Sequence, residues 1–411
     1  MRNKAKTYLV GGAVRDELLD YPFHEKDWVV TGSSVNEMLK QGFQQVGKDF
    51  PVFLHPKTKE EYALARTERK SAPGYHGFDI HADPSVTLEQ DLSRRDLTIN
   101  AIAKDEQGQL VDPYHGKQDI ENKILRHVSE AFAEDPVRIL RVARFSARYH
   151  HLGFKIADET MQLMKDMVSA GEVKHLVAER VWQEMERALS EQNPSIFIQV
   201  LRDVGALKVL LPEIDVLFGI PNPEQWHPEI DTGIHSLMVL EQASLLTQSP
   251  LVRFAALCHD LGKGLTPKQY WPKHRGHEET GVKVVKRLCE RLKTPKEYRE
   301  LACLGSRYHL HAHKVLELKP STLLKLFEAF DLFRRPERFV YYLDICEADF
   351  RGRTGFEKFN YPQREYFEKI AANVLTVSNK SVDPSISGKA FGEAIRNLRI
   401  ESIAKTKKQF S

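Results

Sequence analysis

The stretch "LVGGAVRDELL", from Leu9 to Leu19, decides the fold of the first part of the chain. Its apolar beginning predicts a strand, its end predicts a helix, and Gly11 and Gly12 lie at the junction. Glycines at such a junction let the backbone approach a ligand closely, and the first N–H groups of the helix would face an anion. Two glycines before a helix also fit an ordinary tight turn. The stretch therefore predicts a strand–turn–helix unit and leaves its ligand open.

The next segment, "HEKDW" from His24 to Trp28, contains two acidic residues at strand spacing. Side chains at positions i and i+2 of a strand share a face, so Glu25 and Asp27 can converge on one point. Carboxylates in that arrangement bind Mg²⁺, which in turn binds phosphates. Glu61, at the start of the strand predicted over "EYALAR", is the candidate third carboxylate. From spacing alone, a solvated entry to the strand explains the two charges equally well.

The chain changes from mixed to helical patterning near Pro136. Before it, "TYLV", "DWVVTG", "VFLH" and "EYALAR" predict strands, and "AVRDELL" and "SVNEMLKQ" predict helices. The polar segment from Arg66 to Pro84 is interpreted as a mobile loop rather than a regular element. After Pro136, helical periodicity appears in "PVRILRVARFSARY", "DETMQLMKDM", "AERVWQEMERAL" and "PSIFIQVLRDVGAL". The pattern predicts an α+β head with a small mixed sheet, followed by all-α regions.

The composition is that of a globular protein with several domains. A chain of 411 residues exceeds one ordinary core, and 41% hydrophobic with 28% charged residues is typical of folded domains in water. The net charge of +3 does not by itself indicate a nucleic-acid partner. The four cysteines form no C-x-x-C pair and are interpreted as reduced thiols of a cytoplasmic protein. The sequence shows neither a secretory signal nor an apolar run of about 18 residues, so no membrane partner is expected.

The segment "EDPVRILRVARF" predicts a helix with a basic face. Asp135 is a suitable N-cap and Pro136 a suitable first helical residue. Four arginines fall within about a third of the helix circumference, namely Arg138, Arg141, Arg144 and Arg148. Because no acids are interleaved, this face is not expected to be an ordinary salt-bridged surface. Arginine forks match phosphates and base edges, so a nucleotide contact is favoured.

Taken in order, the motifs of the first half resemble those of a known enzyme family. The motifs are "LVGGAVRDELL", the acid-x-Asp pair, "RRDLTINA", "VDPYHGKQDI", "EDPVRILRVARF" and "ERVWQE". They are similar to the successive motifs of class II tRNA nucleotidyltransferases, the CCA-adding group of the polymerase-β-like nucleotidyltransferases. The resemblance implies a catalytic head with Mg²⁺ at the acidic pair, followed by helical neck, body and tail regions.

The resemblance also implies residue roles. Asp135 and Arg138 match the pair that reads the Watson–Crick edge of CTP or ATP. Further nucleotide or phosphate contacts are implied at Gly12, Arg15, Arg95, Arg141 and Arg144. The first acid of the pair is Glu25 here, whereas the family usually has aspartate. This departure concerns the geometry of the metal site, and we expect Glu25 to bind the metal with Asp27.

The second half of the chain contains "IDTGIHSL", "FAALCHDLGKG" and "CEADFRGR". Gly262 is predicted to close a helix that ends near the His-Asp dipeptide. Histidines and carboxylates from several helices can hold a divalent ion and leave positions for water. These motifs resemble the HD superfamily of metal-dependent phosphohydrolases, which implies four ligands: His235, His259, Asp260 and Asp349. Four further histidines are candidate extra ligands, although a surface role is favoured for each: His277, His309, His311 and His313.

A nucleotidyltransferase head joined to an HD domain resembles the bacterial multifunctional CCA proteins over nearly the whole chain. The resemblance implies addition of C, C and A to the 3′ end of tRNA from CTP and ATP. It also implies 2′-nucleotidase, 2′,3′-cyclic phosphodiesterase and phosphatase activities at the HD site. The HD site would take a divalent metal, with Ni²⁺ and Mn²⁺ as the candidates.

The expected division is a head over 1–130, a helical neck and body over 131–225, an HD domain over 226–355 and a helical C-terminal region over 356–411. The turn-rich segment from Leu217 to Asp231 is interpreted as a linker. The expected partners are tRNA, CTP and ATP, with monomer and homodimer both open. Three rival functions remain: a poly(A) polymerase-like enzyme, an HD phosphohydrolase with a degenerate head, and a non-catalytic tRNA-binding protein. The HD motifs and the intact loop from Arg66 to Pro84 argue against the first rival.

Overall fold

The computed structural model describes residues 5–23, 25–46, 52–70 and 78–409. It divides into two compact units, Met1–Leu210 and Leu211–Ser411. The first unit combines strands and helices, and the second is helical. The predicted α+β class, with a small mixed sheet followed by helical regions, is confirmed. His24 of "HEKDW" lies outside the described residues.

The strands of the first unit follow the predicted alternation closely. They are β1 (Lys6–Val10), β2 (Asp27–Thr31), β3 (Gln44–Val46), β4 (Val52–Leu54), β5 (Glu61–Leu64), β6 (Thr67–Lys70), β7 (Phe78–His81), β8 (Ala103–Lys104), β9 (Leu110–Val111), β10 (Ile124–Leu125) and β11 (Lys155–Ile156). Within the described residues, seven of them form one sheet in the order β3-β4-β5-β2-β1-β8-β9. The pairing of β2 with β5 is parallel and the other pairings are antiparallel, so the sheet is mixed.

The two faces of the sheet bury different apolar clusters, because successive side chains of a strand alternate between faces. Val29 packs with Leu92 in one cluster, and Val30 packs with Met38 in another. Asp27 is two residues before Val29 and therefore lies on the Leu92 face of the sheet. The alternation of side chains along β2 therefore places the carboxylate of Asp27 on the same face of the sheet as Leu92.

Some helices of the first unit contact this sheet and others pack on one another. They are α1 (Gly12–Leu18), α2 (Val35–Lys40), α3 (Leu88–Ser93), α4 (Gly116–Asn122), α5 (Val137–Tyr149), α6 (Asp158–Ser169), α7 (Ala178–Ser190), α8 (Pro194–Asp203) and α9 (Ala206–Leu210). Helix α5 is the most buried of those that carry predicted site residues, since Ile139, Leu140 and Ala143 have no exposed surface. Burial of that face anchors the arginines on its other side.

The segment from Arg66 to Pro84 is partly regular, so its interpretation as a loop without regular elements is wrong for its described ends. Strands β6 and β7 pair antiparallel as a separate two-stranded sheet. Residues 71–77 lie outside the described residues. The polar composition misled the prediction, because this hairpin needs main-chain hydrogen bonds rather than an apolar stripe.

The second unit consists of helices packed around a histidine-rich centre. They are α10 (Pro212–Asp215), α11 (Thr232–Leu246), α12 (Pro250–Cys258), α13 (His277–Leu292), α14 (Lys296–His313), α15 (Pro320–Ala329), α16 (Pro336–Arg351), α17 (Pro362–Leu375) and α18 (Gly388–Lys408). Among the helices in the described ranges, none has the length and apolar character needed to span a membrane.

The segment from Leu217 to Asp231 is a packed part of the second unit, so its interpretation as a linker is wrong. Leu217 and Ile220 are buried. The main-chain N–H of Asn222 donates to the carbonyl of Ile230, which closes the segment on itself. Its turn residues reverse the chain against α11 instead of separating two bodies.

Candidate functional sites

The acidic residues of the first unit lie where β2 begins. Asp27 is the first residue of β2, and Glu25 precedes the strand. The parallel register places Glu61 of β5 beside Asp27. All three side chains are exposed. Among the described residues, these carboxylates do not come together as three ligand atoms within 4.8 Å of one another. Metal binding by Glu25, Asp27 and Glu61 therefore stays a prediction. The strand register supports it for Asp27 and Glu61, which lie side by side.

The electrostatics of this edge suit a cation. The pKa of Asp27 is raised, first because neighbouring protein atoms remove water from its carboxyl and also because Glu25 is nearby, while Arg95 opposes the rise. Like charges held close together cost free energy, and a divalent cation would offset that cost. Oxygen ligands of this kind are those that Mg²⁺ prefers. The residues present therefore fit a magnesium ion.

The turn at Gly11 is covered by an arginine. Gly11 has a φ of 69°, and a Cβ there would lie 2.8 Å from an Nη atom of Arg95. That same Nη donates to the carbonyl oxygen of Asn100 at 3.3 Å. Burial lowers the pKa of Arg95, and its Nε has no hydrogen-bond partner in the described part of the chain. The guanidinium of Arg95 therefore lies against the turn at Gly11, and its contact with a nucleotide stays a prediction.

Arg15 lies in the interior of the first unit. Its side chain is 4% exposed and its guanidinium donates to both carboxylate oxygens of Asp16, at 2.8 and 2.9 Å. A further donor reaches Asn100 Oδ1 at 2.5 Å. The ring of Phe145 lies 5.0 Å from its guanidinium carbon. This arrangement gives Arg15 a structural role, and its direct nucleotide contact stays a prediction.

The arginine face of α5 contacts acids from other segments. Three pairs are formed: Arg141 with Asp96 at 2.6 Å, Arg144 with Glu184 at 2.7 Å and Arg148 with Asp16 at 3.1 Å. Arg138 donates to the main-chain oxygens of Ala131 and Arg94. The expectation that this face is not salt-bridged is wrong, because its acids are distant in the sequence and adjacent in the fold. Whether Arg138, Arg141 and Arg144 also contact a nucleotide stays a prediction.

A buried hydrogen-bond chain connects "RRDLTINA" to α1 and α5. Asp96 accepts from Arg141 and also from Asn100 Nδ2, at 2.6 and 2.9 Å. Asn100 Oδ1 in turn accepts from Arg15. Burial alone would raise the pKa of Asp96, but the charge of Arg141 and these hydrogen bonds hold it well below the usual range. The chain therefore fixes Arg15 and Arg141 relative to the sheet.

Replacing Asp96 by asparagine should destabilise the protein by about 1–3 kcal/mol, because Arg141 and Asn100 lose a charged acceptor. Urea unfolding would measure this loss. The folded-state pKa of Asp96 is depressed, so its contribution should be full above about pH 5 and decline as pH falls through the unfolded value of about 3.9. The control is Glu121→Gln on α4, whose side chain is 64% exposed. Equal stability of the Asp96 variant and the parent would contradict this prediction.

Asp135 contacts the start of α5 and binds a second helix. Its Oδ1 accepts the N–H of Val137 at 3.1 Å. Helix α5 begins at Val137 with Pro136 as its N-cap residue, so the prediction of Asp135 as N-cap and Pro136 as first helical residue is wrong by one position. Arg180 of α7 binds both carboxylate oxygens of Asp135, at 3.1 and 2.7 Å. Sequence analysis did not select Arg180, although it lies in "ERVWQE". A bidentate fork of this kind fixes the orientation of the carboxylate.

The second unit brings six predicted candidates into one buried cluster. These six form two of the three groups in the described part of the chain whose ligand atoms lie within 4.8 Å of one another: His235, His259 and Asp349, and then Asp260, His277 and His309. His259 and Asp260 are adjacent in the chain and belong to different groups, so the dipeptide joins them. Helix α11 supplies His235 and α16 supplies Asp349. All six side chains are buried.

This cluster fits a divalent metal. His259 Nε2 and Asp260 Oδ1 are buried and make no hydrogen bond within the described residues. Several nearby pairs have ion-pair distances, including 3.2 Å between His277 Nε2 and Asp260 Oδ1. Buried donors and acceptors usually have partners, and a cation would supply the missing one. A mixed histidine and carboxylate set is typical of transition-metal sites.

The charge states of the cluster agree with ligand roles. Burial would raise the pKa of Asp260, but His259 and Lys263 hold it well below the usual range. Lys263 Nζ lies 2.6 Å from the other oxygen of Asp260. Burial lowers the pKa of His309 to about 3, so its imidazole is neutral at pH 7. A neutral imidazole offers the lone pair that a metal needs.

A carboxylate behind the cluster orients His235. Glu229 lies in the segment interpreted as a linker, and its carboxylate is 2.9 Å from His235 Nδ1 and 2.9 Å from His227 Nδ1. The other nitrogen of His235, Nε2, lies 3.2 Å from Asp349. A carboxylate on one imidazole nitrogen directs the other nitrogen towards the metal. Sequence analysis missed His227 and Glu229, because nothing local in the sequence connects them to His235.

The surface role favoured for the extra histidines is wrong for two of them. His277 and His309 are buried in the second group. His313 is partly buried, and its Nε2 lies 2.8 Å from Asp349 Oδ2. His311 is partly exposed and contacts the ring of Tyr308. The four histidines therefore have three different environments.

Gly262 allows two backbones to approach. It lies in a 3-10 helix, Leu261–Leu265, rather than closing α12 in a left-handed conformation as predicted. A Cβ at this position would lie 1.9 Å from the carbonyl oxygen of His277. Glycine here brings the start of α13, and with it the His277 ligand candidate, against the His-Asp turn.

Comparison with known proteins identifies the family. Three family models match: the Poly A polymerase head domain over residues 7–126, the Probable RNA and SrmB- binding site of polymerase A over 153–218, and the HD domain over 232–335. A curated protein of Teredinibacter turnerae called Multifunctional CCA protein is 61% identical over 97% of this chain and 97% of its own length. The chain belongs to the multifunctional CCA protein family. A member from Thioalkalivibrio sulfidiphilus is 59% identical over 98% of this chain and 99% of its own length.

Solved structures share the fold at lower sequence identity. A CCA-adding enzyme in an apo form has a TM-score of 0.65 at 19% identity, covering 98% of this chain and 91% of that one. A CCA-adding enzyme in complex with CTP has a TM-score of 0.62 at 20% identity, covering 97% and 87%. The Thermotoga maritima enzyme in complex with tRNA-CCA has a TM-score of 0.61 at 20% identity, covering 99% and 92%. These likenesses confirm the head and helical body as the fold of such enzymes.

Proposed function

We propose that this protein adds and repairs the 3′-terminal CCA of tRNA, using CTP and ATP without a nucleic-acid template. The observation that carries this is its 61% identity, over nearly the full length, to a multifunctional CCA protein. The acidic edge at Asp27 and the head-domain match over residues 7–126 support it. The match of 153–218 to an RNA-binding model supports tRNA as the partner. The four cysteines are free thiols, in agreement with a cytoplasmic location.

The test is incubation with labelled CTP or ATP and tRNAs trimmed to different 3′ ends, with and without EDTA. Ordered incorporation of C, C and A supports the proposal. Incorporation of A alone in long tracts would point to a poly(A) polymerase-like enzyme. No incorporation, with intact hydrolysis at the HD site, would point to a degenerate head, and tRNA binding alone to a non-catalytic protein.

In the head, the residues of the protein would act mainly by positioning the reactants, and little covalent chemistry would be required of them. Mg²⁺ at Glu25 and Asp27, with Glu61 as a third carboxylate, would neutralise triphosphate charge and favour the ionised primer hydroxyl. Arg95 is close enough to Asp27 to lower its pKa, and its Nε has no hydrogen-bond partner among the described residues. Its guanidinium would bind the triphosphate near Gly12. Arg141 and Arg144 would contribute charge from α5 while they hold Asp96 and Glu184.

Asp135 and Arg138 are proposed to select the base, and replacing both with alanine should relax discrimination against UTP and GTP. Each bidentate base contact contributes about 1–3 kcal/mol to discrimination. Arg180→Ala should weaken discrimination as well, because it frees the carboxylate of Asp135. Competition between nucleotides in single-turnover addition would measure this. Arg187→Ala, on the same helix and 60% exposed, is the matched control. Unchanged selectivity in the double variant would show that Asp135 contributes only to the start of α5 and does not select the base.

The second unit is proposed to be a metal-dependent phosphohydrolase with 2′-nucleotidase, 2′,3′-cyclic phosphodiesterase and phosphatase activity. His235, His259, Asp260 and Asp349 would hold a divalent ion, with Ni²⁺ and Mn²⁺ as candidates, and such an ion supplies an activated water. Glu229 would orient His235, and Lys263 would hold Asp260.

The proposed domain division is 1–130, 131–225, 226–355 and 356–411. The family models over 7–126 and 232–335 fall within the proposed head and the proposed HD domain, respectively. The compact units meet at Leu210 and Leu211, fifteen residues before the proposed start of the HD domain at 226. The packing of Leu217 and Ile220 in the second unit explains that difference.

A further inference from the structure

A cavity of about 640 Å³ opens beside the histidine cluster of the second unit. His277 lines the cavity and also belongs to the group with Asp260 and His309. Gly262 forms part of the same wall. Ligand pockets for small molecules typically have volumes of about 300–1,000 Å³, so the cavity can accept a nucleotide-sized molecule. It therefore lies where a substrate of the cluster could extend.

The lining of the cavity combines aromatic rings with cations. Tyr270 and Trp271 supply the rings, and Lys273 and Arg275 supply the positive charges. Within the described residues, no carboxylate side chain lines it. Two cations without a balancing acid create a positive potential that favours an anionic ligand.

The aromatic rings of the cavity lie where a ligand can reach them. Tyr270 is 59% exposed, so its ring is accessible to a ligand in the cavity. The indole N–H of Trp271 donates to the carbonyl of Thr266 at 2.9 Å, which fixes the orientation of that ring. An exposed ring beside a fixed ring and two cations is the arrangement that binds a nucleobase by stacking and its phosphates by charge.

We propose that this cavity binds the nucleoside part of a ribonucleotide whose terminal phosphate reaches the histidine cluster. Tyr270 stacks on the base, and Lys273 and Arg275 hold the negative charge. In the reaction, the oxygen of water forms a bond to phosphorus and the ribose oxygen leaves with a proton, giving a nucleoside and inorganic phosphate. The inference rests on the phosphohydrolase function proposed above. The nucleotide is either free or the end of an RNA.

The test compares kcat/KM for adenosine 2′-monophosphate with kcat/KM for glycerol 2-phosphate, which has no ring to stack. The ratio of the two should fall about 5- to 150-fold in Tyr270→Ala, the range that corresponds to loss of one base–aromatic stack. Tyr270→Phe keeps the ring and should restore the ratio. Lys283→Ala is the matched control, because it is exposed on α13 and lies outside the cavity lining. An unchanged ratio in Tyr270→Ala overturns the proposal.

A trinucleotide ending in a 2′-phosphate serves as the second substrate. A fall in the ratio for both substrates supports recognition of the terminal nucleotide in either form, and a fall for the trinucleotide alone supports recognition of RNA ends. Calorimetric titration of adenosine 2′-monophosphate into the parent and into Tyr270→Ala tests binding in the cavity separately from hydrolysis. If the parent does not hydrolyse the nucleotide, the proposed phosphohydrolase function is wrong. Weaker binding by the Tyr270 variant would still support the cavity, and equal binding would overturn it.

Discussion

Asp27→Ala should lower nucleotide addition at least about 1,000-fold, because a metal ligand at the acidic edge would be lost. Metal ions contribute several kcal/mol of charge stabilisation in the transition state, and each 1.4 kcal/mol is about tenfold in rate. The register that places Asp27 beside Glu61 argues that this carboxylate is central to the edge. Incorporation of labelled CTP into trimmed tRNA measures the loss. Binding of tRNA and hydrolysis at the HD site should persist.

Glu25 tests the departure from the family's usual aspartate. Glu25→Ala should also nearly abolish addition, and Glu25→Asp should retain or raise it, since aspartate is the shorter and more restricted ligand. Mg²⁺ requires near-octahedral geometry at about 2.0–2.1 Å, so the longer side chain should also increase tolerance of Mn²⁺. Glu121→Ala, 64% exposed on α4, is the control for loss of a head carboxylate. If Glu25→Ala is as active as the parent, Glu25 is only a solvated residue before β2.

The strands and helices of the head were predictable because their signals are local. Apolar alternation in "DWVVTG" and "EYALAR" corresponds to β2 and β5, and helical spacing after Pro136 corresponds to α5. The hairpin of β6 and β7 was not predictable, because polar strands stabilised by main-chain pairing carry no apolar period. Hydrophobic patterning therefore predicts strands and helices that bury an apolar face, and it misses those that bury none.

Long-range partners were the main omission at the sites. Arg180 binds Asp135 across 45 residues, and Arg141 binds Asp96 across the same separation. No local spacing encodes such pairs, so the arginine face of α5 was interpreted as free of acids. Charge pairing between distant segments becomes visible only when the fold brings them together.

One of the candidate extra ligands for which a surface role was favoured has a local signal for burial. His309 lies on the buried stripe of α14, with Ala302, Gly305, Ser306 and Ala312 at helical spacing. A histidine on an apolar stripe needs a polar partner, and Asp260 at 3.6 Å is one. The helical period of "LACLGSRYHLHAH" could therefore have separated His309 from His311, which lies off that stripe.

The largest effect in the second unit is expected for His259. His259→Ala should lower phosphohydrolase activity at least about 1,000-fold, because the side chain lies 3.7 Å from Asp349 and 3.2 Å from Asp260 and so contacts both ligand groups. Asp260→Asn should have a similar effect, since it removes the charge that faces His277 and Lys263. Metal content measured by mass spectrometry should fall in parallel with activity.

Addition of CCA should survive in both variants, because the acidic edge and α5 belong to the compact unit Met1–Leu210 and the cluster belongs to Leu211–Ser411. His311→Ala is the matched control, since that histidine is partly exposed and lies on the same helix as His309. It should keep both activities and the metal. Suppose instead that CCA addition collapses in His259→Ala while circular dichroism shows a folded protein. The assignment of the two reactions to separate sites would then be wrong, and the cluster would have to serve the head.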